Sequence, residues 1–271
     1  MKRSLRARAG ATVTASLFLL ALGTGCGGGS SQDTGSSGKA DGSTPTPTAT
    51  PTAAAKAVGS AELEKLLLAG DDLQGYKVDT GDEALPTSKG QVKTDKAECA
   101  PLAYAMAGLA PGDTQSGASN SVTRNPASDA ASKSPEDIGE ADIENAFKVE
   151  ITFVGLSSYD GDGAEKALKA VTDGIDACSG GFALTGEGET QKITRVAAAK
   201  SSGGGDESVA FSVDSDADGE GTATFNTEVV RVGNTVATYY TVDLAALGSG
   251  KAAAVPTAVI EAQTAKLAER K

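Results

Sequence analysis

Between positions 223 and 229 the chain alternates with period two, and after Gly233-Asn234 a second strand-forming segment follows. Ala223, Phe225, Thr227 and Val229 fall on one side, and residues 236–242, with Tyr239 and Tyr240, follow the break. A two-residue Gly/Asn loop between alternating segments is an antiparallel hairpin signal. Val209, Phe211 and Val213 repeat the alternation upstream, so the three segments read as an antiparallel meander. Phe147, Val149, Ile151 and Phe153 on one side, with Lys148, Glu150 and Thr152 on the other, predict another strand with one dry and one wet face. Shorter strands are expected near 76–78, 119–123 and 193–196.

Helical spacing is also present. Asp162 and Glu165 stand at capping-box separation, and Ala164, Leu168, Val171, Ile175 and Cys178 recur every three or four residues until Gly180-Gly181. This predicts a helix over 162–178. A second helix is expected from Val255-Pro256 to Arg270, with Val259, Ala262 and Leu267 inward and the proline early in the helix. Ser60 is expected to cap a helix carrying Glu62, Glu64, Leu63, Leu66 and Leu67 and ending at Gly70. A shorter helix over 100–109 admits Pro101 only in its first turn. Residues 127–141 and 201–206 are rich in Gly, Ser, Pro and acidic side chains without a period, and read as loops. No internal repeat occurs, which argues against a solenoid or propeller.

The chain begins differently. Lys2, Arg3, Arg6 and Arg8 form a basic head, followed by a largely apolar run at 11–22. That is an export signal, because the run falls short of the roughly 20 apolar residues a membrane-spanning helix needs. Gly23-Thr24-Gly25-Cys26 then resembles the lipobox of bacterial lipoproteins, in which small residues precede a cysteine that is acylated and becomes the new N-terminus. The resemblance implies that residues 1–25 are removed and Cys26 is lipidated. The alternative is plain secretion, with cleavage after one of the small residues. From residue 27 to about 57 the sequence is almost entirely Gly, Ser, Thr, Pro and Ala, which cannot build a core. As a flexible coil this tether of 26–57 would span roughly 30 Å. Its Thr/Pro stretch leaves O-glycosylation open beside an unmodified spacer. Residues 58–271 are expected to form one domain.

Composition narrows the chemistry. The chain has no His and no Trp, so a Ser-His-Asp triad, an imidazole base and a His-ligated zinc are excluded. Removing the leader takes four of 24 Lys and Arg and leaves 20 against 36 acidic residues, a net charge of −16. Such a chain repels phosphate backbones and anionic lipid, so nucleic-acid binding is not expected. A phosphate-binding loop is not found either, since Gly38-Lys39 and Gly250-Lys251 are both followed by Ala. Adjacent carboxylates such as Asp71-Asp72 and Asp82-Glu83 read as solvated turns. Asp214-Ser215-Asp216-Ala217-Asp218-Gly219 matches the first half of a calcium loop, with Asp214, Asp216 and Asp218 as ligands. Phe225 occupies the place of the closing Glu, so two readings stand: weak extracellular calcium binding, or a soluble hairpin turn. No cofactor is expected, and an enzyme is the least expected class.

With Cys26 consumed by lipid, Cys99 and Cys178 remain as a pair in an oxidising compartment. A disulfide would tie the start of the 100–109 helix to the end of the 162–178 helix. Two buried free thiols are the alternative.

The layout of Ala69-Gly70-Asp71-Asp72-Leu73-Gln74-Gly75-Tyr76, Cys99-Ala100-Pro101-Leu102, Cys178-Ser179-Gly180-Gly181-Phe182 and Val230-Arg231-Val232-Gly233-Asn234-Thr235 resembles actinobacterial cell-surface lipoproteins. These are similar to the extracellular sensor domains of PknH-like Ser/Thr kinases. The resemblance implies an α+β domain, helices packed on an antiparallel sheet, with a sensing or binding role. The expected protein is therefore a non-enzymatic ligand-binding module held by lipid at the outer face of the cytoplasmic membrane. An envelope-maintenance lipoprotein without a small ligand is the second reading.

Overall fold

The computed structural model describes residues 55–80, 85–124, 134, 139, 149–186, 188–216, 221–244, 246 and 251–270. All lie within one compact unit, Pro51–Lys271. The leader, Cys26 and the tether to residue 54 lie outside the described residues. So do Asp82, Glu83, Phe147, Lys148, Asp218 and most of the 127–141 segment.

The described strands are β1 (Tyr76–Asp79), β2 (Val92–Thr94), β3 (Gly117–Arg124), β4 (Glu150–Ser158), β5 (Phe182–Gly186), β6 (Glu189–Ala199), β7 (Glu207–Asp216), β8 (Thr222–Val232) and β9 (Thr235–Asp243). They form one sheet in the order β1-β3-β4-β9-β8-β7-β6-β5-β2, with every neighbouring pair antiparallel. Four helices accompany it among the described residues: α1 (Ser60–Leu66), α2 (Ala100–Met106), α3 (Gly163–Ala177) and α4 (Thr257–Ala268). The α+β architecture is thus an antiparallel sheet with helices on it.

Both sheet faces are covered. α2 and α3 pack over Phe211, Val213, Val229 and Val236, while α1 and α4 pack over Val154, Leu156, Val230, Ala237 and Tyr239. The expected dry and wet sides of β4 are therefore corrected: Thr152, placed on the wet side, is buried, and Val154 and Leu156 extend the strand into the second core. A period-two reading sees one apolar face, and here a second helical layer lies against the other. Thr152 tolerates burial because its hydroxyl shares a 3.0 Å hydrogen bond with Thr241 on the adjacent strand.

The meander stands as read, with Val232 paired to Thr235 around Gly233-Asn234 and Gly233 at φ +60°. Only a residue without a Cβ takes that backbone shape without strain. β2 and β5 have no counterpart in the sequence reading, because three and five residues are too short to show a period.

All four helices depart from expectation at one or both ends. α1 is preceded by Gly59, and the Ser60 hydroxyl accepts from the Gly117 amide rather than capping the helix. α1 ends at Leu66 instead of Gly70, and side chains from elsewhere take its last carbonyls. Gln263 Nε2 donates to Leu66 O at 2.7 Å, Lys266 Nζ to Leu67 O at 2.8 Å, and Asn120 Nδ2 to Leu68 O at 2.9 Å. Leu63, Leu67 and Leu68 are then buried against α4 and the sheet, each contributing about 1.5–3 kcal/mol. At α3 the Asp162 carboxylate pairs with Lys166 at 2.8 Å, so the capping box with Glu165 does not form. α4 starts at Thr257, with Pro256 just outside it, and buries Ile260 and Gln263 besides Val259 and Leu267. α2 is shorter than expected, ending at Met106.

One contact fixes where α2 sits. A Cβ on Gly155 of β4 would fall 2.2 Å from the Gly108 carbonyl, so only glycine lets the turn after α2 rest directly on the strand. α2 also touches both β9 and β2, five strands apart in the sheet, so the sheet curls around the helix.

Chain entry is pinned at one end of the strands. Asn234 Nδ2 at the β8–β9 tip donates to Lys56 O, the Gly161 amide donates to Ala55 O, and the Ala57 amide donates to Asp160 Oδ1.

Candidate functional site

The curl of the sheet leaves a cleft of about 730 Å³ between α2, the 85–92 segment and β5 to β9. Its helical wall is Ala103, Met106 and Ala107, and Phe153 and Tyr240 contribute aromatic surface from the central strands. The opposite wall is Val92 of the edge strand β2 with Leu184 and Gly186 of its neighbour β5. Glu189, Thr190, Gln191, Lys192, Ser215 and Asp216 supply the polar side. A concave volume between about 300 and 1,000 Å³, in which apolar side chains face a polar edge, is what a small-molecule site offers.

Cross-strand pairing assembles the aromatic patch. Phe153 of β4 lies opposite Tyr240 of β9, which lies opposite Thr227 of β8, and Phe225 sits diagonally on the same side. The Phe153 and Tyr240 rings stack at 6.2 Å and 22°, and Phe225 meets Tyr240 at 5.6 Å and 41°. Three of the chain's eleven Phe and Tyr therefore concentrate on one patch. Apolar surroundings push the Tyr240 phenol well above its ordinary pKa, since burial penalises the phenolate. It remains a neutral hydroxyl at physiological pH.

The 85–92 wall is ordered locally and braced from behind. Gln91 closes a capping box with Ser88 around the 3-10 turn Lys89–Gln91. Lys89 lies over the Tyr104 ring at 4.9 Å and donates to Gly112 O. Partial burial lowers the Lys89 pKa, offset in part by Asp113.

Cys99 and Cys178 form a disulfide, with Cα atoms 5.9 Å apart and both residues fully buried. Cys99 caps the start of α2 and Cys178 the end of α3. The bridge thus fastens the helix that forms one wall of the cleft.

The acidic run is placed on the sheet rather than in a free loop. Asp214 and Asp216 belong to β7, and Asp218 lies outside the described residues. Asp214 Oδ1 accepts from Thr224 Oγ1 at 2.9 Å, and its other oxygen lies 3.7 Å from Arg195. Among the described residues no three His, Cys, Asp or Glu side chains gather as a metal site. No described helix is long and apolar enough to cross a membrane.

Sequence reasoning named Phe153, Phe225 and Tyr240 only as strand positions, and missed Met106, Ala107 and Leu184 as cleft residues. The available signal was the coincidence of aromatics at matching positions of three neighbouring strands. It becomes visible only once the order β4-β9-β8 is known.

No protein-family model matches the chain, and no curated protein matches it. Among solved structures, the chain is similar to the extracellular domain of PknH from Mycobacterium tuberculosis. The identity is 13% and the TM-score 0.43, over 79% of this chain and 97% of that one.

Proposed function

We propose that the protein is a non-enzymatic, lipid-anchored extracytoplasmic module that binds a small, largely apolar ligand in the cleft beside α2. The observation that carries this reading is the cleft itself, with its stacked aromatic patch and polar edge. The basic-apolar leader ending at Cys26 supports export and anchoring. A fully buried disulfide suits an oxidising compartment. The tether joins the domain at the Gly233-Asn234 tip, whereas Ala223 of the cleft stands at the other end of the 11-residue β8, about 30 Å away. On this reading the chain enters the domain at one end of β8 and the cleft lies at the other.

The test is saturable binding of a neutral fluorescent probe, N-phenyl-1-naphthylamine, to the mature protein. Ala107→Trp places an indole in the cleft from a half-buried position. One probe per chain is expected, with at least about tenfold weaker binding in Ala107→Trp and unchanged circular dichroism. No saturable signal with the folded parent would overturn the reading in favour of an envelope-maintenance role without a ligand.

A further inference from the structure

On the α1 and α4 side of the sheet, a second cleft of about 460 Å³ opens beside Glu228 of β8. Glu228 is only 4% exposed, and among the described residues it has no ion pair. Its Oε1 is fully engaged, accepting from Ser201 Oγ at 3.1 Å, the Ser202 amide at 2.9 Å and Ser202 Oγ at 2.5 Å. Ser202 Oγ accepts from the Gly204 amide, which leaves its proton for the carboxylate, whereas Ser201 Oγ accepts from the Gly203 amide and also shares a short hydrogen bond with Ser208 Oγ. Oε2 accepts no such bond among the described residues and is not one of the enclosed unpartnered atoms, so it opens onto the cleft. The cross-strand neighbour of Glu228 is Tyr239, whose fully buried hydroxyl lacks a partner.

A carboxylate taken out of water is retained only when charge and hydrogen bonds compensate it. Three donors compensate Oε1, and a cation at Oε2 would add a charge-assisted bond. Calcium would need six or more oxygen ligands, whereas an ammonium group needs three acceptors at most. Ala199, Ala210 and Val255 line the same cleft with short apolar side chains, enough for a few methylenes beside the charge.

We infer that this cleft binds a protonated primary amine on a short aliphatic stem, with Glu228 Oε2 as the charge partner. The site lies on the other face of the sheet from the aromatic cleft and does not depend on it. Lys200 lies at the cleft and is a competitor to be tested.

The experiment is an amide chemical-shift titration of the mature domain with n-butylammonium chloride to about 50 mM, at constant ionic strength. n-Butanol and tetramethylammonium serve as controls. Saturable shifts at residues 201–203 and Thr257 are expected with the primary amine alone. Glu228→Gln keeps an oxygen acceptor for the serines and should weaken the amine about tenfold. Ala254→Trp, on the exposed wall, should block binding without touching the carboxylate and serves if Glu228→Gln fails to fold. Lys200→Gln should bind as well or better. No saturable shift in the parent, or equal affinity in Glu228→Gln and Ala254→Trp, would overturn the assignment.

Discussion

Reducing the Cys99–Cys178 bridge should cost the domain a large part of its stability. The cross-link joins residues 79 apart in sequence, and the loop it closes contains α2, β3, β4 and α3. In the chain-entropy model a loop of that length constrains the unfolded chain by about 4.5 kcal/mol at 25 °C. The folded state changes little on reduction, because both sulfurs remain in a packed core on either side of the broken bond. With a urea dependence of about 2–3 kcal/mol per molar for a domain of this size, the unfolding midpoint should fall by about 1.5–2.3 M on adding reductant. The slope should also rise as the freed chain exposes more surface. Equilibrium urea unfolding followed by far-ultraviolet circular dichroism, with and without reductant, measures both quantities. A midpoint shift below about 0.3 M with an unchanged slope would refute the loop-closure argument. Labelling of the two thiols by denaturant alone would refute the bridge.

Other consequences are equally direct. Gln263→Ala leaves the buried Leu68 amide and Leu66 carbonyl without partners, and thermal unfolding should show a loss of about 2–4 kcal/mol. Burial raises the Glu150 pKa, with Asp243 adding and Arg124 opposing. A raised carboxylate penalises the native state when ionised, so Glu150→Gln should stabilise the domain at pH 7. The gain should vanish below the ordinary glutamate value of about 4.3, as unfolding midpoints at pH 7 and pH 3.5 will show. Cys26→Ser should leave the domain's melting temperature unchanged and abolish incorporation of a fatty-acid probe, and label persisting in the variant would place the lipid elsewhere.

Much of the fold was legible because its longest elements carry a clean period. The β7–β8–β9 meander, α3 and the pairing of Cys99 with Cys178 follow from alternation, helical spacing and cysteine arithmetic. What stayed hidden depends on chain segments far apart in sequence. The cap of α1 comes from Gln263, Lys266 and Asn120, and no local signal near Leu66 announces them. The buried Thr152 follows from a second helical layer that a single strand's pattern does not reveal. Phe153 and Tyr240 become a binding surface only through their register. Glu228 looked like one polar position in an alternating strand, yet its surroundings come from a loop 26 residues upstream.

If the cleft beside α2 is the ligand site, amide chemical-shift mapping with N-phenyl-1-naphthylamine will locate the probe there residue by residue. Saturable shifts should concentrate at residues 103–107, 184–186 and Tyr240, which line one cleft from three separate parts of the chain. The same residues should stay unmoved in Ala107→Trp beyond the local effect of the substitution. Shifts scattered over the surface, or confined to the α1 and α4 side around Tyr239 and Ile260, would contradict the account.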